Sequence, residues 1–118
     1  MKPYKKTIGT LPDELIHNHT THRKRLIWVD EKKKGDIATM NYAWLTPGKQ
    51  LDIHRHDDGE EYYYFLEGCG RMLVGADWFT VGPGEFVTVP KQHDHSVQNT
   101  GTANLVFLTV RTVEHASD

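Results

Sequence analysis

The amino-acid sequence predicts an all-β fold: one antiparallel barrel or sandwich behind a short N-terminal extension. Three observations point there. From residue 26 onward, short runs rich in β-branched and aromatic residues recur at nearly regular spacing. Turns rich in glycine, proline, aspartate and asparagine separate them. The intervals leave no room for the crossover helices that a parallel sheet needs.

Taken in order, residues 1–25 are expected as an N-terminal extension and residues 26–118 as the barrel. Within the extension, Leu11 to Asn18 reads as a helix, with Pro12 suited to a first helical position and Asp13 and Glu14 in the first turn. Arg23-Lys24-Arg25 and Lys32-Lys33-Lys34 read as solvated loops around the apolar run Leu26 to Val29. Strands are expected at Leu26–Asp30, Asp36–Leu45, Glu60–Leu66 and Arg71–Val74, then at Trp78–Val81, Phe86–Val89, His95–Gln98 and Leu105–Val113. The breaks between them include Thr46-Pro47-Gly48, Asp57-Asp58-Gly59, Gly75-Ala76-Asp77, Gly82-Pro83-Gly84 and Asn99-Thr100-Gly101. A closed double sheet is favoured because it hides strand edges that would otherwise pair between molecules.

Composition narrows the function. The chain has 118 residues, about one domain, with 37% hydrophobic and 25% charged residues and a formal net charge of −2. That balance gives no electrostatic reason to bind nucleic acid. No apolar stretch approaches the length of a membrane helix, and the basic N-terminus lacks the apolar segment of a secretory signal. One cysteine, Cys69, excludes an intramolecular disulfide, and a cytoplasmic location is expected. The unusual feature is eight histidines.

His54 and His56 are one residue apart. On an extended chain their imidazoles face the same side about 7 Å apart, close enough to converge on one ion. Glu61 follows the Asp57-Asp58-Gly59 turn and opens a strand that can fold back beside them, offering a carboxylate. Such a mixed donor set suits one divalent transition metal, among Fe, Mn, Ni, Co and Zn.

The segment Gly48-Lys-Gln-Leu-Asp-Ile-His54-Arg-His56-Asp-Asp-Gly-Glu-Glu61-Tyr-Tyr-Tyr-Phe-Leu-Glu-Gly68 resembles the first cupin motif, G-x5-H-x-H-x3/4-E-x6-G. Gly84-Glu-Phe-Val-Thr-Val-Pro90-Lys-Gln-His-Asp-His95-Ser-Val-Gln-Asn99 resembles the second, G-x5-P-x-G-x2-H-x3-N. One position departs: Gln92 stands where the second motif has glycine, which puts the local turn in question. The resemblance implies a small single-domain cupin, a jelly-roll barrel also called a double-stranded β-helix. It implies His54, His56, Glu61 and His95 as metal ligands. Glu61 is chosen over Glu60 because six residues separate it from Gly68, and because strand alternation puts Glu60 on the opposite face with Tyr62 and Tyr64.

Tyr63 and Phe65 share the parity of Glu61. Phe65 is expected in the core, and Tyr63 is a candidate catalytic residue whose hydroxyl could meet a substrate. His93 is expected at the surface. His17, His19 and His22 form an H-x-H-x2-H cluster that reads as an exposed segment or, less simply, a second metal site. Trp28, Trp44 and Trp78 read as core or dimer-interface aromatics. Cys69 and Asn99 read as turn residues.

Two functions compete: a metal-dependent enzyme on a small polar molecule, of dioxygenase, isomerase, epimerase or decarboxylase type, and a non-catalytic binding or sensing module. Few charged residues besides the ligands are expected to line the pocket, Arg71 and Arg111 being the open cases. Apolar side chains on both faces of several strands lead to the expectation of a homodimer.

Overall fold

The computed structural model describes residues 5–28 and 37–113. Lys32-Lys33-Lys34 and the end of the strand expected at Leu26–Asp30 lie outside the described residues. Among the described residues, nine antiparallel strands form two sheets: β1 (Glu14–Ile16), β2 (Thr21–Trp28), β3 (Ile37–Leu45), β4 (Glu61–Glu67), β5 (Gly70–Val74), β6 (Asp77–Val81), β7 (Phe86–Val89), β8 (His95–Asn99) and β9 (Leu105–Thr112). The larger sheet runs β1-β2-β3-β9-β4-β7 and the smaller β6-β5-β8. From β4 onward each strand forms within one residue of its expected bounds.

The N-terminal region differs from expectation. Leu11 to Asn18 is not a helix. A single 3-10 turn occupies Ile8–Thr10, and β1 pairs with the start of β2 through a tight hairpin, Ile16 opposite Thr21 and Glu14 opposite Arg23. Eight residues with first-turn acids make a marginal helix on their own, and pairing along β2 supplies backbone partners that a lone helix turn lacks. Arg23-Lys24-Arg25 lies within β2 and not in a loop.

Alternation in β4 decides what faces inward. Glu61, Tyr63 and Phe65 are buried, while Tyr64 is exposed and Tyr62 half-buried. The core gathers Phe65, Phe107, Leu45, Leu51, Met72, Val97 and their neighbours between the sheets. No large tryptophan joins it. Trp28 is exposed beneath Arg25, 3.8 Å from its ring centre, Trp78 lies under Arg71, and Trp44 stacks on His22. Asn99 closes its turn as expected, its amide donating to the carbonyls of Leu45 and Ala103.

Two local features hold the motif segments in place. Residues 49–54 have no strand of their own but run beside β8, with backbone bonds linking Leu51 to Val97 and His54 to His95 in both directions. Gly59 packs so tightly that a Cβ there would collide with the carbonyl oxygen of Thr112. Only glycine lets the Asp57-Asp58-Gly59 turn deliver Glu61 to the start of β4.

Candidate metal centre

His54, His56, Glu61 and His95 each offer a ligand atom, and these atoms lie within 4.8 Å of one another. The cross-bridge between residues 49–54 and β8 brings His54 and His95 together, their ring centres 4.0 Å apart. His56 follows two residues after His54, 5.2 Å from it ring to ring. Glu61 comes from the first position of β4.

Hydrogen bonds orient the donors. Nδ1 of His95 donates to the His93 carbonyl at 3.1 Å, and Nδ1 of His54 to the Asp52 carbonyl at 2.8 Å. A carbonyl only accepts, so both rings carry a proton on Nδ1, and Nε2 is the nitrogen left to face the site. Such outer contacts fix metal-binding imidazoles generally. His95 Nε2 stands 2.9 Å from Glu61 Oε1, and His56 Nε2 stands 3.6 Å from it. An imidazole Nε2 this close to a carboxylate shares either a proton or a cation with it, so the donor set fits a bound divalent metal. Tyr63, fully buried, donates its hydroxyl to the same Oε1 at 3.0 Å.

The electrostatics follow from this packing. Burial opposes a charged Glu61, but the contacts with His56 and His95 outweigh it and hold the carboxyl well below its usual range. Burial, reinforced by the neighbouring His95, lowers His54 to about 4, so it is neutral and able to coordinate at neutral pH. Burial and the adjacent Glu61 charge push the Tyr63 hydroxyl well above 10, which keeps it a donor.

Beside the donors opens a cavity of about 150 Å³, room for a ligand of several heavy atoms. Its lining also includes residues that the sequence pattern placed elsewhere. His17 lines it, 4.4 Å from His54 ring to ring, so it is neither part of an exposed segment nor of a second metal site. His22 instead pairs with Asp13. Among the described residues, the group able to hold a metal is His54, His56, Glu61 and His95. Arg23 and Arg111 also line the cavity, against the expectation of few charged residues there, whereas Arg71 points outward to Gln98 and Trp78. Strand parity across β2, β3 and β9 was the available signal, but without the pairing register it could not say which parity faces in. His93 is exposed, as expected.

Gln92 resolves the motif's one departure. Its φ is +63°, the left-handed conformation that favours glycine, and its N–H donates to the His56 carbonyl at 2.7 Å. The turn keeps its shape with a non-glycine residue in it.

Comparison with known proteins agrees with this geometry. The cupin-domain family Cupin_2 matches residues 42–111. An uncharacterised protein of Methanocaldococcus jannaschii is 29% identical over 108 residues, 92% of this chain and 77% of that one. An oxalate-binding protein of Thermotoga maritima is 32% identical over 66 residues, 56% of this chain and 54% of that protein. The crystal structure of a predicted oxalate decarboxylase from Thermotoga maritima superposes with a TM-score of 0.80 at 24% identity, covering 89% of this chain and 95% of that one.

Proposed function

The chain belongs to the Cupin_2 family of cupin domains, and from that premise we propose that it is a metal-dependent enzyme acting on a small polar molecule. The observation that carries this reading is the convergence of four ligand atoms within 4.8 Å at one end of a cavity. His54, His56, Glu61 and His95 would hold one divalent transition metal (Fe, Mn, Ni, Co or Zn). When bound, such an ion supplies Lewis-acid or redox chemistry at a position the protein leaves open.

The chain's own residues perform the remaining tasks. Tyr63 donates to Glu61 Oε1 and so holds the carboxylate in one orientation. Leu51 and Phe107, buried at the cavity wall, exclude bulk solvent from the donors. Because Tyr63's hydroxyl is engaged by Glu61, we read it as a positioning residue and not as a direct contact to substrate. The Thermotoga maritima oxalate-binding protein, by its name, supports a small-molecule ligand. The reaction types carried forward from the sequence are dioxygenase, isomerase, epimerase and decarboxylase.

The test begins with protein purified without added metal. Elemental analysis should find about one equivalent of a single transition metal, and oxygen-consumption and product assays on a small-molecule panel should then find turnover. Absence of stoichiometric metal, even after incubation with each candidate ion, sinks the proposal. Saturable binding without turnover would instead favour a binding or sensing role.

We also propose a homodimer built on the outer face of β4 and β7. Tyr64 and Phe86 are register partners there, 42% and 59% exposed, and Tyr62 stacks on Phe86. Paired exposed aromatics at a sheet edge favour a twofold partner. Sedimentation equilibrium at micromolar concentration should give twice the chain mass; a single chain mass removes the dimer.

A further inference from the structure

Arg111, Thr109 and Phe107 alternate along β9 and face the cavity, and the adjoining strands β3 and β4 continue the same surface. Thr39 pairs with Arg111 and Asn41 with Thr109 on one side; Glu61 and Tyr63 pair with the same two residues on the other. The wall is therefore one continuous face of the larger sheet, with the Glu61 end of the metal group at its margin.

Two of its polar atoms are unmatched. Arg111 Nε and Asn41 Oδ1 are buried, and neither has a hydrogen-bond partner among the described residues. Asn41 is only 8% exposed. Leaving such groups unsatisfied carries the full penalty of removing them from water, and buried polar atoms without partners are uncommon. One is a donor carrying positive charge and the other an acceptor. As diagonal neighbours on the β3–β9 ladder the two residues stand roughly 7–8 Å apart, somewhat less at Cβ, a gap that a short molecule can bridge.

Charge selects the kind of molecule. Arg111 uses its outer end on Asp58, Nη2 lying 2.9 and 3.0 Å from the two carboxylate oxygens, which leaves Nε directed inward. Arg23 lies on the same wall, its side chain 17% exposed and its Nε 3.3 Å from Glu14. Among the described residues the carboxylate lining the cavity is Glu61, already taken by His95, His56 and Tyr63. Cationic groups thus exceed anionic ones along a cavity of about 150 Å³.

We propose that this wall binds a short hydroxycarboxylate, its carboxylate accepting from Arg111 Nε and its hydroxyl donating to Asn41 Oδ1. The proposal rests on reading the cavity as the ligand site of the metal centre, and it adds the chemical class of that ligand. A carboxylate satisfies the inward arginine donor with a charge-assisted bond. A hydroxyl satisfies the amide oxygen, which a simple carboxylate, an acceptor only, leaves bare.

The experiment is calorimetric titration of the full-length protein with glycolate, acetate and glycolamide, each in metal-loaded and chelator-treated protein, with metal content followed by elemental analysis. Glycolate should bind with one-to-one stoichiometry. Acetate, which lacks the hydroxyl, and glycolamide, which lacks the charge, should each bind at least tenfold more weakly. The ranking should hold with and without metal, because β3 and β9 produce it. Arg111→Gln should weaken glycolate at least tenfold with metal content unchanged, and Arg111→Lys, which keeps the charge and can still reach Asp58 but lacks Nε, should not restore it. Asn41→Leu should abolish the preference for glycolate over acetate, a ratio that a merely structural role would leave alone. Equal binding of acetate or glycolamide, or full binding in Arg111→Lys, overturns the inference while metal content stands. A wild-type protein that takes no metal yet keeps the ranking overturns the metal reading and leaves the inference in place.

Discussion

On one side of the cavity Glu61 accepts from Tyr63 and lies against His95, and backbone carbonyls hold Nδ1 of His54 and His95. Next to it on the larger sheet, where Arg111 is the register partner of Glu61, Arg111 Nε and Asn41 Oδ1 meet no partner among the described residues. The first wall is completed by the protein itself and presents lone pairs in a fixed arrangement. Such a wall suits a resident ion, whose ligands must be in place beforehand. The second wall carries its unmet bonds into the cavity, as a site does when its occupant comes and goes. The difference teaches that one cavity can hold two kinds of recognition, one rigid and one waiting.

The largest way to break the comparison is to remove the rigid wall. His54→Ala combined with His95→Ala should abolish stoichiometric metal, measured by elemental analysis, while circular dichroism still shows a β-rich fold. The core from Phe65 to Phe107 does not include the histidines. Wild-type metal in the double variant would end the ligand assignment. Glu61→Gln should weaken metal binding, and Glu60→Gln, on the exposed face, should hardly change it.

A smaller change tests whether the fixed wall depends on its outer contacts. Tyr63→Phe removes one hydroxyl from Glu61 and nothing else from the packing. Loss of a contact of that kind typically lowers metal affinity by about 10-fold to 100-fold. Competition with a chelator of known affinity measures it. Unchanged affinity would mean that Glu61 is held by the histidines alone.

Acid sharpens the comparison because it acts first on the metal side. Burial and His95 lower His54 to about 4 in the folded protein, from 6.5 in an unperturbed chain. Between those values the unfolded state binds more protons than the folded one, so stability falls as pH drops from about 6.5 toward 4 and is level above. Burial shifts His17 in the same direction. Glu61 is displaced downward, so its contribution is present above the usual carboxylate range and is lost only below it. Melting temperatures of chelator-treated protein across pH 4 to 8 should show this slope, and His54→Ala should reduce it. A slope of opposite sign would show that His54 gains a partner on folding and does not lose water.

The same contrast separates what was legible in the sequence from what was not. The rigid wall was legible because its donors sit close together in sequence, His54-x-His56 with Glu61 after a glycine turn, and because alternation along β4 fixed which of Glu60 and Glu61 faces inward. His95 came through the motif around Pro90 and Asn99. The other wall was not legible, because Arg23, Asn41 and Arg111 lie on three strands that pair only through the register of the larger sheet. One step of register would turn all of them outward. The helix expected at Leu11 to Asn18 failed for a related reason: its local signals were outweighed by pairing with β2, a partner that no local pattern announces.

The smallest predicted effect asks whether both walls are held by strained turns. Gln92, which donates to the His56 carbonyl, has φ +63°; in the turn before β2, where the His17 ring lies against His54, His17, Asn18 and His19 have φ of 52°, 57° and 63°. The second turn is clasped by Thr20, whose N–H donates to Ile16 and whose hydroxyl donates to His17. A left-handed residue other than glycine costs roughly 1–2 kcal/mol, and glycine gives back about 0.5–1 kcal/mol through the freedom of the unfolded chain. Gln92→Gly should therefore stabilise the protein by about 0.5 kcal/mol. Asn18→Gly should gain less, because asparagine already tolerates this conformation. Urea unfolding measures both, as a higher midpoint at constant slope. If Gln92→Gly lowers the midpoint, the glutamine side chain stabilises the turn by more than its backbone strains it, and the metal-side turn is not a strained one.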